Sequence, residues 1–134
     1  MKSITRMIED EVYVSTNELG HEVTIDMRAP DLKQAQSPVE LLLSSLGACG
    51  AVDITLMLKK RRKTILQFIT ETEGDRRSEV PKSFIKLHCH YAITSPDVTE
   101  EELHKIAQLS LEKYCSVADS LKAKVTFSVE VIHP

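Results

Sequence analysis

Three cysteines, Cys49, Cys89 and Cys115, are the side chains of this 134-residue sequence best suited to covalent chemistry. Their number is odd and no two stand in a Cys-x-x-Cys spacing, which excludes a closed disulfide framework and gives no thioredoxin-like or zinc motif. What remains is a thiolate nucleophile, a disulfide between distant residues, or burial as small hydrophobes. Cys49 lies in GACGAVD, and the glycines at 47 and 50 point to something packed closely against that stretch. Asp53 follows four residues later and so shares its helix face. A carboxylate there disfavours a thiolate unless a cation neutralises it, so Asp53 reads either as half of a buried ion pair or as the holder of an activating arginine. Cys115, in EKYCSVADSL, comes 66 residues after Cys49. The two can join as a disulfide only where their Cα atoms approach within about 7 Å.

His88, Cys89 and His90 form a consecutive run that invites a metal reading. On a strand, neighbouring side chains point to opposite faces, so Cys89 cannot join both histidines in one site without a bulge. No metal is therefore expected. A Gly-rich phosphate loop, a Gly-x-Ser-x-Gly elbow and a His-Glu-x-x-His helix are all missing, and no cofactor is expected either.

The elements that must position these residues follow from periodicity. Residues 4–27 alternate weakly, with Val23, Ile25 and Met27 on one face, which predicts a strand meander turning at Leu19-Gly20. After a polar loop, Ser37-Pro38-Val39-Glu40 supplies an N-cap serine, a proline at the first helical position and a glutamate at the third. The helix begun there should reach about Arg62, where Lys59 to Lys63 set five cations against the negative end of the helix dipole. Being apolar on nearly every side, it reads as the buried centre of the fold, since Glu40 and Asp53 argue against a membrane span. A strand is expected over residues 64–73, then another in which Ile85, Leu87, Cys89, Tyr91 and Ile93 face the core. Thr99 with Glu102 begins a second helix running to about Leu121, and Val125, Phe127, Val129 and Val131 form one face of a last strand. Strands, long helix, strands, helix, strand is an α+β plan on a single domain, residues 1–134.

Composition narrows the partners. There are 17 Lys and Arg against 20 Asp and Glu, a net charge of −3, with no tryptophan and 4% aromatic residues. Neither the basic footprint nor the stacking platforms of a nucleic acid binder are present, and no membrane partner is expected. The opening MKSITRMIEDEVYV has charges every few residues and no apolar run, so no secretory leader is read there. A reducing cytoplasm is the expected location, where paired cysteines are catalytic or redox-sensing more often than structural.

Three segments resemble the OsmC/Ohr family of osmotically induced and organic hydroperoxide resistance proteins: SPVELLLSSLGACGAVDI, Pro81 to His88, and EKYCSVADSL. The similarity is greatest to its YhfA-like branch, where G-x-C-x-A-x-D and EKYCSV have nearly this form. The resemblance implies an OsmC-like fold and an intertwined homodimer, with the central helices between two sheets and a two-cysteine site at each end of the interface. It further implies that Cys49 attacks a peroxide as thiolate, that Cys115 condenses with the resulting sulfenic acid, and that an external dithiol reduces the disulfide. Organic hydroperoxides are the implied substrates, and Cys89 has no role. Where the family's peroxidases carry a glutamate ten residues before the first cysteine, this chain has Val39, with Glu40 beside it. Nine residues at about 100° each set Glu40 across the helix from Cys49. For the family's activating arginine the N-terminal region offers Arg6 and Arg28, and Ser116 follows Cys115 where the best-known members have proline. Asp53, Arg28 and Glu40 are accordingly the supporting candidates. The alternative is a non-catalytic dimer that binds a small apolar or thiol ligand, or a redox sensor.

Overall fold

The computed structural model describes residues 1–134 and divides them into two compact units, 1–42 and 43–134. In the first, β1 (Ser3–Glu9), β2 (Val12–Asn17) and β3 (Glu22–Asp26) form an antiparallel meander in the order β1-β2-β3. The turn between β2 and β3 contains Gly20 at φ 88°, a left-handed conformation that glycine adopts without a Cβ clash. The expected apolar face is not buried here: Val23 and Met27 are exposed, while Val12, Val14 and Asp26 are buried. Asp26 is stable there because its carboxylate accepts hydrogen bonds from the Arg28 guanidinium and from the Gln34 and Arg28 backbone N–H groups.

α1 (Pro38–Lys60) starts where the capping residues place it, with the Glu40 N–H donating to Ser37 Oγ at 3.2 Å. The unit boundary falls just after its first turn. α1 has the length and apolar character to cross a membrane, but its Leu46, Gly47, Gly50, Ile54 and Leu58 pack into the protein core. Within the single chain Leu42, Val52 and Leu56 remain exposed, so its own sheet does not bury the helix on nearly every side. A single stripe at three- and four-residue steps is as much of a helix as one sheet can cover. Arg62, at φ 58°, ends the helix, and Arg61 and Lys63 both pair with Glu102.

The second sheet has the order β4-β5-β6, with β4 (Gln67–Arg76) antiparallel to β5 (Phe84–Thr94) and β6 (Lys124–Ile132) parallel to β5. A parallel neighbour requires a crossover, and the helical segment between β5 and β6 provides it. β4 begins three residues later than expected because Thr64 is held outside the ladder, its N–H and hydroxyl both donating to the Asp97 carboxylate. In β5, Leu87, Cys89, Tyr91 and Ile93 are buried as the alternation predicts. Ile85 is instead 55% exposed. Between Asp75 and Arg76 the pairing steps from Lys86 to Phe84, leaving Ile85 as the extra residue of a bulge and turning Phe84 towards the core. His88 and His90 lie on the other face, hydrogen-bonded to Thr126 and Ser128.

The second helical segment departs most from expectation. α2 (Glu100–Leu109) is capped by Thr99, whose hydroxyl accepts from the Glu102 N–H at 3.2 Å. A π-turn over Ser110–Tyr114 follows, then Cys115 in an extended conformation, then the single turn α3 (Ser116–Asp119). One continuous helix to Leu121 is thus broken at the cysteine. The Cys115 N–H bonds to Ser110 O at 2.8 Å, a five-residue step that admits one residue more than an α-helical turn holds.

Candidate thiol site

Cys49 stands in the middle of α1, which lies close to the β4-β5-β6 sheet at its two glycines. A Cβ on Gly47 would stand 2.7 Å from Thr72 Oγ1, and one on Gly50 would collide with the Tyr91 hydroxyl. The suspicion that something packs closely around the cysteine is met by these two strand residues. Approach at this distance brings Cys49 beside the core and leaves it partly exposed.

Cys115 reaches the same place from the break after the π-turn. Its sulfur, that of Cys49 and a carboxylate oxygen of Asp53 all lie within 4.8 Å of one another. Asp53 is there because it follows Cys49 by four residues on one helix face, and its Oδ2 accepts a hydrogen bond from Ser110 Oγ at 3.3 Å. Ser110 is wholly buried at the start of the π-turn, so one residue both anchors the turn and orients the carboxylate. Its part in the site carries no signal in the sequence, where it reads as an ordinary helical serine.

Burial acts on the titrating groups of the core. Burial, reinforced by the neighbouring Cys49, pushes the Cys115 thiol up to about 11, against a smaller opposing effect of the Ala118 N–H, which donates to its sulfur at 3.4 Å. Cys115 therefore keeps its proton at neutral pH. Burial also raises Cys89, which is fully enclosed in the core. Tyr91 is raised chiefly by burial and next by the neighbouring Cys89 thiol, a weak partner with which its hydroxyl forms no well-shaped hydrogen bond. All three cysteines are free thiols.

The remaining candidates belong to the first unit. Arg28 is bound to Asp26 through Nη2 at 2.6 Å and lies 3.8 Å from Glu9; these partners hold its guanidinium within the first unit. The Glu40 carboxylate faces Lys33 at 3.8 Å, also in that unit. Besides Cys49, Cys115 and Asp53, no other group of three or more His, Cys, Asp and Glu side chains comes together as metal ligands would.

An α+β chain whose central helix and broken second helix bring two distant thiols and a carboxylate together defines a thiol-pair protein. Comparison with known proteins makes the class specific: the OsmC-like protein family matches residues 30–130, and the chain belongs to that family. It is 30% identical over 134 residues to Protein YhfA of Escherichia coli K12, covering 98% of both chains. A hypothetical protein from Aquifex aeolicus VF5 superposes with a TM-score of 0.86 at 28% identity, covering 99% of this chain and 96% of that one. The organic hydroperoxide resistance protein OhrB of Bacillus subtilis shares the fold, with a TM-score of 0.63 at 14% identity and 98% coverage of each chain.

Proposed function

We propose that this protein is a thiol-dependent peroxide reductase of OsmC type, acting on organic hydroperoxides in the cytoplasm as a homodimer, with Cys49 as attacking and Cys115 as resolving thiol. The observation that carries the reading is the approach of the two sulfurs to within 4.8 Å from positions 66 residues apart. Family membership supports it, as does the shared fold with OhrB, a protein named for organic hydroperoxide resistance.

In this reading the Cys49 thiolate attacks the peroxide oxygen, an S–O bond forms as the O–O bond breaks, and the alkoxide takes a proton to leave as alcohol. The sulfur is left as a sulfenic acid. Cys115 then attacks that sulfur, and the departing oxygen leaves as water with the proton that Cys115 carried. An external dithiol returns the disulfide to two thiols by exchange and is itself oxidised, which balances the two electrons given to the peroxide. A Cys115 that stays protonated at neutral pH does not compete with Cys49 for peroxide.

Mass spectrometry after one equivalent of cumene hydroperoxide tests the proposal. The expected product is a Cys49–Cys115 disulfide, with peroxide consumed. Peroxide left intact, with both thiols still free, removes the reading. The second reading, a non-catalytic dimer binding a small apolar or thiol ligand, is favoured by one observation: Arg28 is already committed to Asp26. A co-purifying ligand in native mass spectra, together with inert thiols, would support it.

A further inference from the structure

The side chains around Cys49 are a set of ligands as well as a reaction pair. Two sulfurs and a carboxylate oxygen converge within 4.8 Å, one sulfur buried and the other two groups half-buried. Ionising both thiols there places three negative charges side by side, a costly arrangement in a partly desolvated site unless a cation sits among them. Two thiolates and a carboxylate are donors that a tetrahedral, borderline-soft divalent ion accepts, at about 2.3 Å for Zn–S and about 2.0–2.2 Å for Zn–O. Small movements of side chains would draw the three donors to that geometry. Two of them come from one face of α1 and the third from the backbone break at Cys115, so they arrive from two directions. Ser110, donating to Asp53 Oδ2, supplies the outer hydrogen bond that steadies a ligating carboxylate.

We propose that reduced Cys49 and Cys115, with Asp53, bind a thiophilic divalent cation, zinc fitting best, with a fourth position left for water. Each thiol gives its proton to solvent and each sulfur donates a lone pair to the ion; no oxidation state changes. Binding goes beyond the peroxide reading, since it requires only that the two thiols be reduced. A metal-held sulfur has no free thiolate to offer, so zinc and peroxide compete for Cys49; that consequence alone rests on the peroxide reading.

The experiment uses the full chain, reduced and free of peroxide. Zinc is titrated against a chromophoric chelator, and cadmium is added separately to read sulfur-to-metal charge-transfer absorption. One equivalent per chain is expected, with the absorption lost in Cys49→Ser and Cys115→Ser and kept in Cys89→Ala. Asp53→Asn should weaken binding by at least the roughly 10–100-fold that loss of an outer partner costs. As a check that needs no variant, bound zinc should protect Cys49 and Cys115 of the unaltered protein from iodoacetamide. Absence of stoichiometric uptake, uptake that survives Cys49→Ser, or full affinity in Asp53→Asn would overturn the three-ligand site. Because peroxide is absent throughout, failure here leaves the disulfide test standing, and failure of that test leaves this one standing.

Discussion

Replacing Gly50 with alanine should force α1 away from β5 next to the thiol pair. The added methyl would collide with the Tyr91 hydroxyl and stand 3.1 and 3.2 Å from Tyr91 Cζ and Cε1. Tyr91 has little room to retreat: it is fully buried, and its ring is tilted against Phe68 with centroids 6.2 Å apart. Overfilling a closed core costs about 1–3 kcal/mol, and a stiff obstacle favours the upper part of that range. Alanine recovers up to about 1 kcal/mol over glycine in a helix interior, leaving a net loss of about 1–2 kcal/mol. The Tyr91→Phe background isolates the cause. It removes the colliding oxygen, whose contact with the weakly bonding Cys89 thiol is not a well-formed hydrogen bond, so the change alone should cost about 1 kcal/mol or less. In that background the ring contacts at 3.1 and 3.2 Å remain, but the helix gain of alanine should offset them, so Gly50→Ala should be close to neutral, giving a coupling of about 1–2 kcal/mol between the two sites. Urea unfolding followed by far-ultraviolet circular dichroism, at one protein concentration and under reductant, measures all four proteins. Additivity within about 0.5 kcal/mol, or a Gly50→Ala variant as stable as the parent, would refute the packing argument.

Cys49→Ser should abolish peroxide turnover, whereas Cys115→Ser should complete one reaction and accumulate sulfenic acid detectable by dimedone labelling. Cys89→Ser should preserve turnover but lose about 1 kcal/mol in urea, because a more polar group is buried in the core with only the Thr72 and Tyr91 hydroxyls in reach to offset it. Arg28, with the N–H groups of Gln34 and Arg28, holds the Asp26 carboxyl below its ordinary 3.8, so its stabilising effect is complete above that pH and fades as pH falls below it. The urea midpoint of the parent should therefore drop on acidification through 3.8, and that of Asp26→Asn should start lower and change less. Thr99→Ala removes the acceptor of the Glu102 N–H and should cost about 1 kcal/mol, seen as a lower Tm.

Local signals were readable and distant ones were not. Ser37, Pro38 and Glu40 mark the start of α1 through contacts within four residues, and the β5 alternation identifies Cys89 as a core residue because burial on one face imposes a period of two. Ile85 escaped that logic because a bulge depends on its partner strand, which no window of β5 contains. Thr64 likewise reads as a strand former, yet Asp97, 33 residues away, takes its N–H and keeps it out of the ladder. At the site, the i, i+4 relation of Cys49 and Asp53 is written in the sequence, whereas the approach of Cys115 depends on a break in what reads as one amphipathic helix. Leu103, Ile106, Ala107 and Leu111 keep their helical spacing up to that break, so hydrophobic periodicity cannot reveal it.

The π-turn at Ser110–Tyr114 makes the thiol pair a matter of helical phase. Five residues fill a loop of backbone that four would close in an α-helix, so every side chain beyond it is rotated relative to α2. Deleting one residue from this segment would let α2 run on unbroken, with a hydrophobic pattern as acceptable as before and Cys115 carried round the axis away from Asp53. Homologous chains that keep both cysteines can thus differ in whether those cysteines meet, and the length of this one turn, more than the presence of the second thiol, is the character by which to sort them.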